Sequence, residues 1–256
     1  MNSPVSWTEK YEVKPGRWVY VPKEETKLLG RKIIDVVNKK WTAPEYFFHL
    51  KKGGHVRALK EHTKNVFFSC LDLTDFFGSM SRTRVTRSLK SHIGYEAARA
   101  LAKASTVPHL RMNEHSHSIP YGFSQSPILA TLCLDKSTLG QCIKQCHESR
   151  DVTVTIYMDD IVISSSDSVY LATWITLFKE AALKSKLVLN DSKESPIATS
   201  VEVFNIELSH KHLKVTEERF NLFYKAYNES DSLQQRNGIG GYVWTVNPAQ
   251  AKMLDQ

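Results

Sequence analysis

Three apolar runs of strand length hold or flank acid where a core has no place for it. The first, Val66-Phe67-Phe68-Ser69-Cys70-Leu71-Asp72-Leu73, sets Asp72 among side chains that bury readily. The second and third, Val152–Tyr157 and Ile161–Ser164, flank Met158-Asp159-Asp160 and predict a hairpin with two adjacent carboxylates at its tip. A straight strand sends neighbouring side chains to opposite faces, whereas a turn can aim both at one place. A buried carboxylate is costly unless a cation meets it, and three converging carboxylates repel one another. Divalent metal is the ordinary remedy, and Mg²⁺ takes a few carboxylates together with waters and phosphate oxygens. An Asp-Asp pair is also common in plain turns, so the pair alone decides nothing.

The rest of the chain sorts into helices and further hairpins. Helix-period apolar residues run through Lys27–Trp41, and Pro44 opens an aromatic-rich helical stretch that Gly53-Gly54 breaks. Arg82–Ser91, Tyr95–Ser105 and Ser168–Lys186 read as helices, and Ser126–His147 as one long helix started by Pro127. Leu110–Met112 with Ser118–Pro120, and Val201–Glu207 with His212–Val215, read as two more hairpins, followed by helices near Thr216–Tyr227 and Leu233–Val246. Antiparallel hairpins mixed with helices predict an α+β fold, not a doubly wound parallel sheet.

Charge adds direction without settling function. Lys23–Lys64 holds 11 Lys/Arg against 5 Asp/Glu, and Arg82–Arg111 holds 7 against 1, so two basic blocks flank the first acidic run. Such a layout suits a polyanion held beside a metal site, and a solvated basic face would look the same. The longest apolar stretches are too short to span a bilayer, and Met1–Lys10 lacks an apolar signal core, so a cytoplasmic protein with no membrane partner is expected. Cys70, Cys133, Cys142 and Cys146 show no disulfide spacing and read as reduced thiols, although Cys142, Cys146 and His147 could share a helix face for zinc.

Five segments in order resemble the bacterial reverse transcriptases. Leu71-Asp72-Leu73-Thr74-Asp75-Phe76-Phe77 looks like their first aspartate motif, and Pro120-Tyr121-Gly122-Phe123-Ser124-Gln125-Ser126-Pro127 like their middle motif. Tyr157-Met158-Asp159-Asp160 looks like their signature hairpin, with Asn190-Asp191-Ser192-Lys193 and Val203-Phe204-Asn205 downstream. The resemblance implies a right-hand polymerase: N-terminal and fingers region 1–65, palm with part of the fingers 66–215, its antiparallel sheet packed on helices, and a small helical thumb 216–256. It implies an RNA-directed DNA polymerase with Asp72, Asp159 and Asp160 as catalytic residues. Those three and the Leu73 carbonyl would hold two Mg²⁺ ions, or Mn²⁺. Asp75, Phe77, Tyr121, Gln125 and Lys193 would contact the incoming dNTP, Phe77 as a gate against a 2′-hydroxyl and Lys193 as donor of a proton to pyrophosphate. Phe204 and Asn205 resemble the primer grip. Lys52 and Arg57 are the expected triphosphate contacts from the fingers, and Arg82 and Arg84, with Arg87, would hold template or primer.

Two departures qualify the resemblance. Tyr121 stands where the family usually has Gln, and the retron-like Asn-Ala-x-x-His survives only as Ala58–His62. With no Val-Thr-Gly-Leu segment, the chain looks closer to the "unknown group" of defence-associated enzymes than to retron enzymes. Expected partners are an RNA template (a non-coding RNA in an antiphage system), a DNA primer or product, and dNTPs. The short thumb region adds a second subunit or self-assembly. A template-independent or protein-primed DNA polymerase on the same fold stays open, as does a non-catalytic RNA-binding scaffold.

Overall fold

A computed structural model describes residues 6–108 and 116–255. The chain opens with a hairpin of β1 (Trp7–Lys14) and β2 (Arg17–Pro22), followed by α1 (Glu24–Lys40). After a single 3-10 turn at Phe48–Leu50 come α2 (Gly54–His62), β3 (Phe67–Asp72), α3 (Arg82–Ile93) and α4 (Tyr95–Lys103). A short pair, β4 (Val107–Pro108) and β5 (His117–Ser118), precedes α5 (Ser126–Asp135), α6 (Thr138–Ser149), β6 (Val152–Tyr157), β7 (Asp160–Ser165) and α7 (Ser168–Lys184). A meander of β8 (Ser200–Val203), β9 (Ile206–Ser209) and β10 (His212–Val215) leads to α8 (Glu217–Asn228), α9 (Leu233–Val246) and α10 (Pro248–Lys252). The expected α+β class holds, with every sheet antiparallel.

The central sheet has the order β3-β7-β6 and is covered on both faces. Leu71, Ile161, Ile163, Val154 and Ile156 face the large core shared with α5, α6 and α7. Phe68, Cys70 and Val162 face a second core completed by Leu59 of α2, Leu208 of β9 and Val243 of α9. The period-2 alternation of a strand makes this division and puts Asp72 and Asp160 on the second face. Beneath them His62, fully buried, lies 2.7 Å from Ser164 Oγ and 2.8 Å from Thr155 Oγ1, which ties α2 to the sheet.

Several sequence expectations are corrected. The long helix over Ser126–His147 is two helices, because Ser137 Oγ accepts the Gly140 amide and caps a new one. Gly140 permits the break, since a Cβ there would lie 2.1 Å from the Leu134 carbonyl. The stretch from Pro44 is a turn with one 3-10 segment, and Gly53-Gly54 starts α2 instead of ending a helix; Gly53 has φ +95° and Gly54 +52°. The single strand over Val201–Glu207 is split at Phe204-Asn205, both left-handed at φ +59° and +58°, as a two-residue hairpin turn requires. Val107–Pro108 pairs with His117–Ser118, while Leu110–Met112 lies outside the described residues. Among the described residues no helix is long and apolar enough to cross a membrane.

Candidate active site

The antiparallel register sets Asp72 directly opposite Asp160 across β3 and β7. In the same hairpin Tyr157 pairs with Asp160, leaving Met158-Asp159 as a two-residue turn. The Leu73 amide donates to the Asp159 carbonyl at 2.9 Å, so the turn folds back onto the end of β3. The register and the turn thereby bring three acidic residues from two sequence regions to one strand end, and like charges directly opposite each other on a sheet are unfavourable.

The turn is held from outside. Met158 has φ +60°, an uncommon conformation for a non-glycine residue, and its amide donates to His49 Nδ1 at 3.0 Å. His49 Nε2 lies 2.6 Å from Thr131 Oγ1, whose hydroxyl donates to the Pro127 carbonyl. Those partners assign a neutral imidazole with its proton on Nε2, and burial lowers its pKa to about 4.

Electrostatics around the carboxylates follow from burial and mutual repulsion. Burial first, then Asp159 and Asp72, pushes the Asp160 pKa up to about 7; burial chiefly raises that of Asp159. Asp72, 4% exposed, accepts Asn190 Nδ2 at 3.2 Å on one oxygen and Lys193 Nζ at 2.8 Å on the other. That bond to Asp72 raises the Lys193 pKa. Arg17, at the start of β2, lies 3.9 Å from the Asp159 carboxylate. Among the described residues no three His, Cys, Asp or Glu side chains already surround one point as a closed ligand set. Here Asp72 is turned to Asn190 and Lys193, and a hard divalent cation needs only some protein carboxylates when water and phosphate complete its shell.

Beside the carboxylates, Arg17 lies over the Tyr121 ring at 4.8 Å, and the Tyr121 ring meets Phe77 edge-on at 4.7 Å. The Tyr20 amide donates to the Tyr121 carbonyl at 2.9 Å, joining the N-terminal hairpin to this wall. Gly122 has φ +98°, and a Cβ there would lie 2.2 Å from the Tyr20 carbonyl oxygen. Asp75, with φ +47°, folds its carboxylate over Gly78, where a Cβ would lie 2.2 Å from Oδ2. Gly16, Tyr20, Asp75, Gly78 and Tyr121 line one small open cavity.

The expected site residues therefore separate. Asp72, Leu73, Asp159, Asp160 and Lys193 come together, with Asp75, Phe77 and Tyr121 alongside. The Phe204-Asn205 turn joins them through the Phe204 ring, 5.3 Å from that of Tyr157. Gln125 is elsewhere: it is 1% exposed and presses on the backbone of Gly30, where a Cβ would lie 2.4 Å from its Oε1. Lys52 and Arg57 are exposed around the start of α2, where Arg57 Nη1 donates to the Lys52 carbonyl at 3.5 Å and not to the carboxylates. Arg82 donates to Thr106 Oγ1 at 2.8 Å and Arg84 to the Ser185 carbonyl at 2.7 Å, so both serve internal contacts, while Arg87 is exposed. Cys142 and Cys146 are free thiols, and His147 pairs with Glu45 instead.

Sequence reasoning missed Arg17, His49 and Asn190. Pro15-Gly16 marks the turn that delivers Arg17, and Asn190 lies in a recognised segment without a role attached. Nothing local to His49 announces its partner 109 residues away.

Comparison with known proteins agrees with this geometry. A family described as reverse transcriptase (RNA-dependent DNA polymerase) matches residues 13–208. No curated protein matches the chain in sequence. A telomerase structure from Candida albicans in complex with a fragment of telomeric RNA overlays with a TM-score of 0.56, at 9% identity over 90% of this chain and 47% of that one. Apo telomerase from Candida tropicalis, truncated from its C-terminal domain, overlays with 0.53, at 8% identity over 75% of this chain and 45% of that one. A foamy viral protease–reverse transcriptase bound to double-stranded DNA is 16% identical over 94% of this chain and 35% of that one, with a TM-score of 0.49. The chain thus spans about half the length, or less, of the solved structures it matches.

Proposed function

Because the chain belongs to the reverse transcriptase (RNA-dependent DNA polymerase) family, we propose that it extends a DNA primer along an RNA template with dNTPs. The observation that carries this reading is the pairing of Asp72 with Asp160 across the sheet, with Asp159 in the adjoining turn. The donor set fits Mg²⁺ or Mn²⁺: three acidic groups, one with its pKa near 7, crowd one strand end. Asp72 and Asp159 would hold two such ions, with the Leu73 carbonyl beside them and Asp160 as the looser third carboxylate. Bound there, such ions would lower the pKa of a 3′-hydroxyl and offset the charge of a departing pyrophosphate.

The remaining roles belong to side chains of this chain. Lys193 Nζ, already at the carboxylates, delivers a proton to the leaving pyrophosphate oxygen as the bond to the α-phosphorus breaks. Arg17 faces the same space with a guanidinium suited to phosphate oxygens, a role the sequence alone assigned to Lys52 and Arg57. Phe77 and Tyr121 form the wall against which the sugar packs and so disfavour a 2′-hydroxyl. Phe204 and Asn205 support the primer end. Residues 1–65 then serve as the N-terminal and fingers region, 66–215 as palm with part of the fingers, and 216–256 as a small thumb. Work on a dedicated non-coding RNA in antiphage defence, with a second subunit or a second copy steadying the duplex, completes the reading.

Purified protein is to be given a heteropolymeric RNA template annealed to a DNA primer, dNTPs and Mg²⁺, and its products sequenced. A complementary copy is expected from the parent and none from Asp159→Asn. A homopolymer, a protein-attached product, or equal activity in Asp159→Asn would refute RNA-templated synthesis at this site.

A further inference from the structure

The helices after the meander are joined to the catalytic turn by aromatic rings. Phe223 of α8 meets Tyr242 of α9 with centroids 5.4 Å apart, and Tyr242 meets His55 of α2 at 5.9 Å. The Tyr242 hydroxyl and His55 Nε2 lie 3.2 Å apart. His55 in turn contacts Tyr157 at 5.6 Å and Phe204 at 5.3 Å, both as edge-to-face pairs. Tyr157 precedes Met158-Asp159 and also meets His49, which accepts the Met158 amide.

The chain of rings is set by local backbone features on both sides. Gly53 and Gly54, both left-handed, start α2 so that His55 stands in its first turn. The left-handed pair Phe204-Asn205 turns the β8–β9 hairpin toward the same point. α8 contributes no fully buried residue, so it is held by half-buried contacts such as Phe223 on Tyr242. Edge-to-face pairs fix relative orientation better than aliphatic contacts do. The α9–α2 link is a tilted ring pair closed by the Tyr242 hydroxyl, and edge-to-face pairs continue from His55 to Tyr157 and Phe204, which gives a displacement of α9 a contact path to the turn.

We propose that Tyr242 and His55 are positioning residues, through which a duplex seated against α8 and α9 aligns Asp159. This rests on the polymerase reading for its purpose, while the mechanical coupling is measurable without chemistry. The loss expected from a misaligned carboxylate is a rate loss at constant substrate affinity.

Single-turnover addition of one dNTP to a pre-bound RNA template–DNA primer tests it. Tyr242→Ala and His55→Ala should each lower the maximal rate about tenfold, with dNTP half-saturation and duplex affinity within about twofold of the parent. The double variant should be no slower than either single variant, since both break one path. Tyr242→Phe, which keeps the ring, should recover most of the rate. An unchanged rate, a loss confined to duplex affinity, or multiplicative losses would overturn the proposal. Hydrogen exchange at Tyr157–Ile161 reads the coupling in the folded protein: Tyr242→Ala should speed it, as should His55→Ala if Tyr242→Ala does not fold. Unchanged exchange in a folded variant overturns the proposal. An inactive parent whose turn still responds would sink the polymerase reading and leave the coupling standing.

Discussion

Acid should destabilise this fold through His62. The imidazole is fully buried between Ser164 Oγ and Thr155 Oγ1, and burial lowers its pKa to about 3. A neutral ring satisfies both neighbours, donating from one nitrogen and accepting at the other, because a hydroxyl can take either role. Its folded pKa lies below the unfolded value near 6.5, so the unfolded chain binds the extra proton. The stability it supports is therefore complete above that value and is lost as pH falls toward 3. At about pH 5 the folded ring is still neutral, so the loss is fixed by protonation of the unfolded chain and comes to roughly 2 kcal/mol. Denaturant titrations of parent and His62→Gln, at pH 7.5 and about pH 5, measure it. The parent should lose roughly 2 kcal/mol more than the variant between the two conditions. Equal losses would refute the assignment of a buried neutral imidazole.

Three further outcomes follow from single contacts. Gly122→Ala should cost about 2 kcal/mol or more in a denaturant titration, because the methyl meets the Tyr20 carbonyl and the backbone is left-handed. Lys193→Met should slow nucleotide addition about a hundredfold and remove the basic limb of the pH–rate profile, with duplex affinity unchanged in a binding titration. Burial pushes the thiols of Cys70 and Cys133 up to about 12 and about 11 and raises those of Cys142 and Cys146, so a disulfide reagent at pH 8 should label only half-buried Cys142 readily, and all four after denaturation.

The central strands were legible because their apolar residues are nearly continuous and because Asp72 and Asp159-Asp160 interrupt them. The N-terminal hairpin was not. Trp7–Lys14 is solvent-facing along almost its whole length, so no apolar alternation betrays it. The break between α5 and α6 lay hidden inside a stretch with helical residues on either side, visible only through Ser137 as a cap. His49 and His55 gave no local signal, since each acts through a partner more than 100 residues away, and His62 showed only as the end of the Ala58–His62 remnant, without its partners Ser164 and Thr155. The basic helix edge of Arg82 and Arg84 was legible as charge, but its guanidinium groups are turned to Thr106 and Ser185 by tertiary packing.

The acidic centre responds to pH in the opposite sense to His62. Asp160 has a folded pKa near 7, above the ordinary carboxylate value, so the folded state binds the extra proton. Its contribution is present at low pH and is lost as pH rises through about 7, where the crowd of carboxylates must carry full charge. Lys193 and Arg17 offset part of that charge, and a divalent cation would offset the rest. Mg²⁺ should therefore raise the unfolding midpoint more at pH 8 than at pH 5.5, where the Asp160 proton competes with the ion. Asp160→Asn should flatten that difference while leaving the acid loss from His62 intact. A Mg²⁺ shift of equal size at both pH values, or none at either, would mean that the three carboxylates are not a cation site.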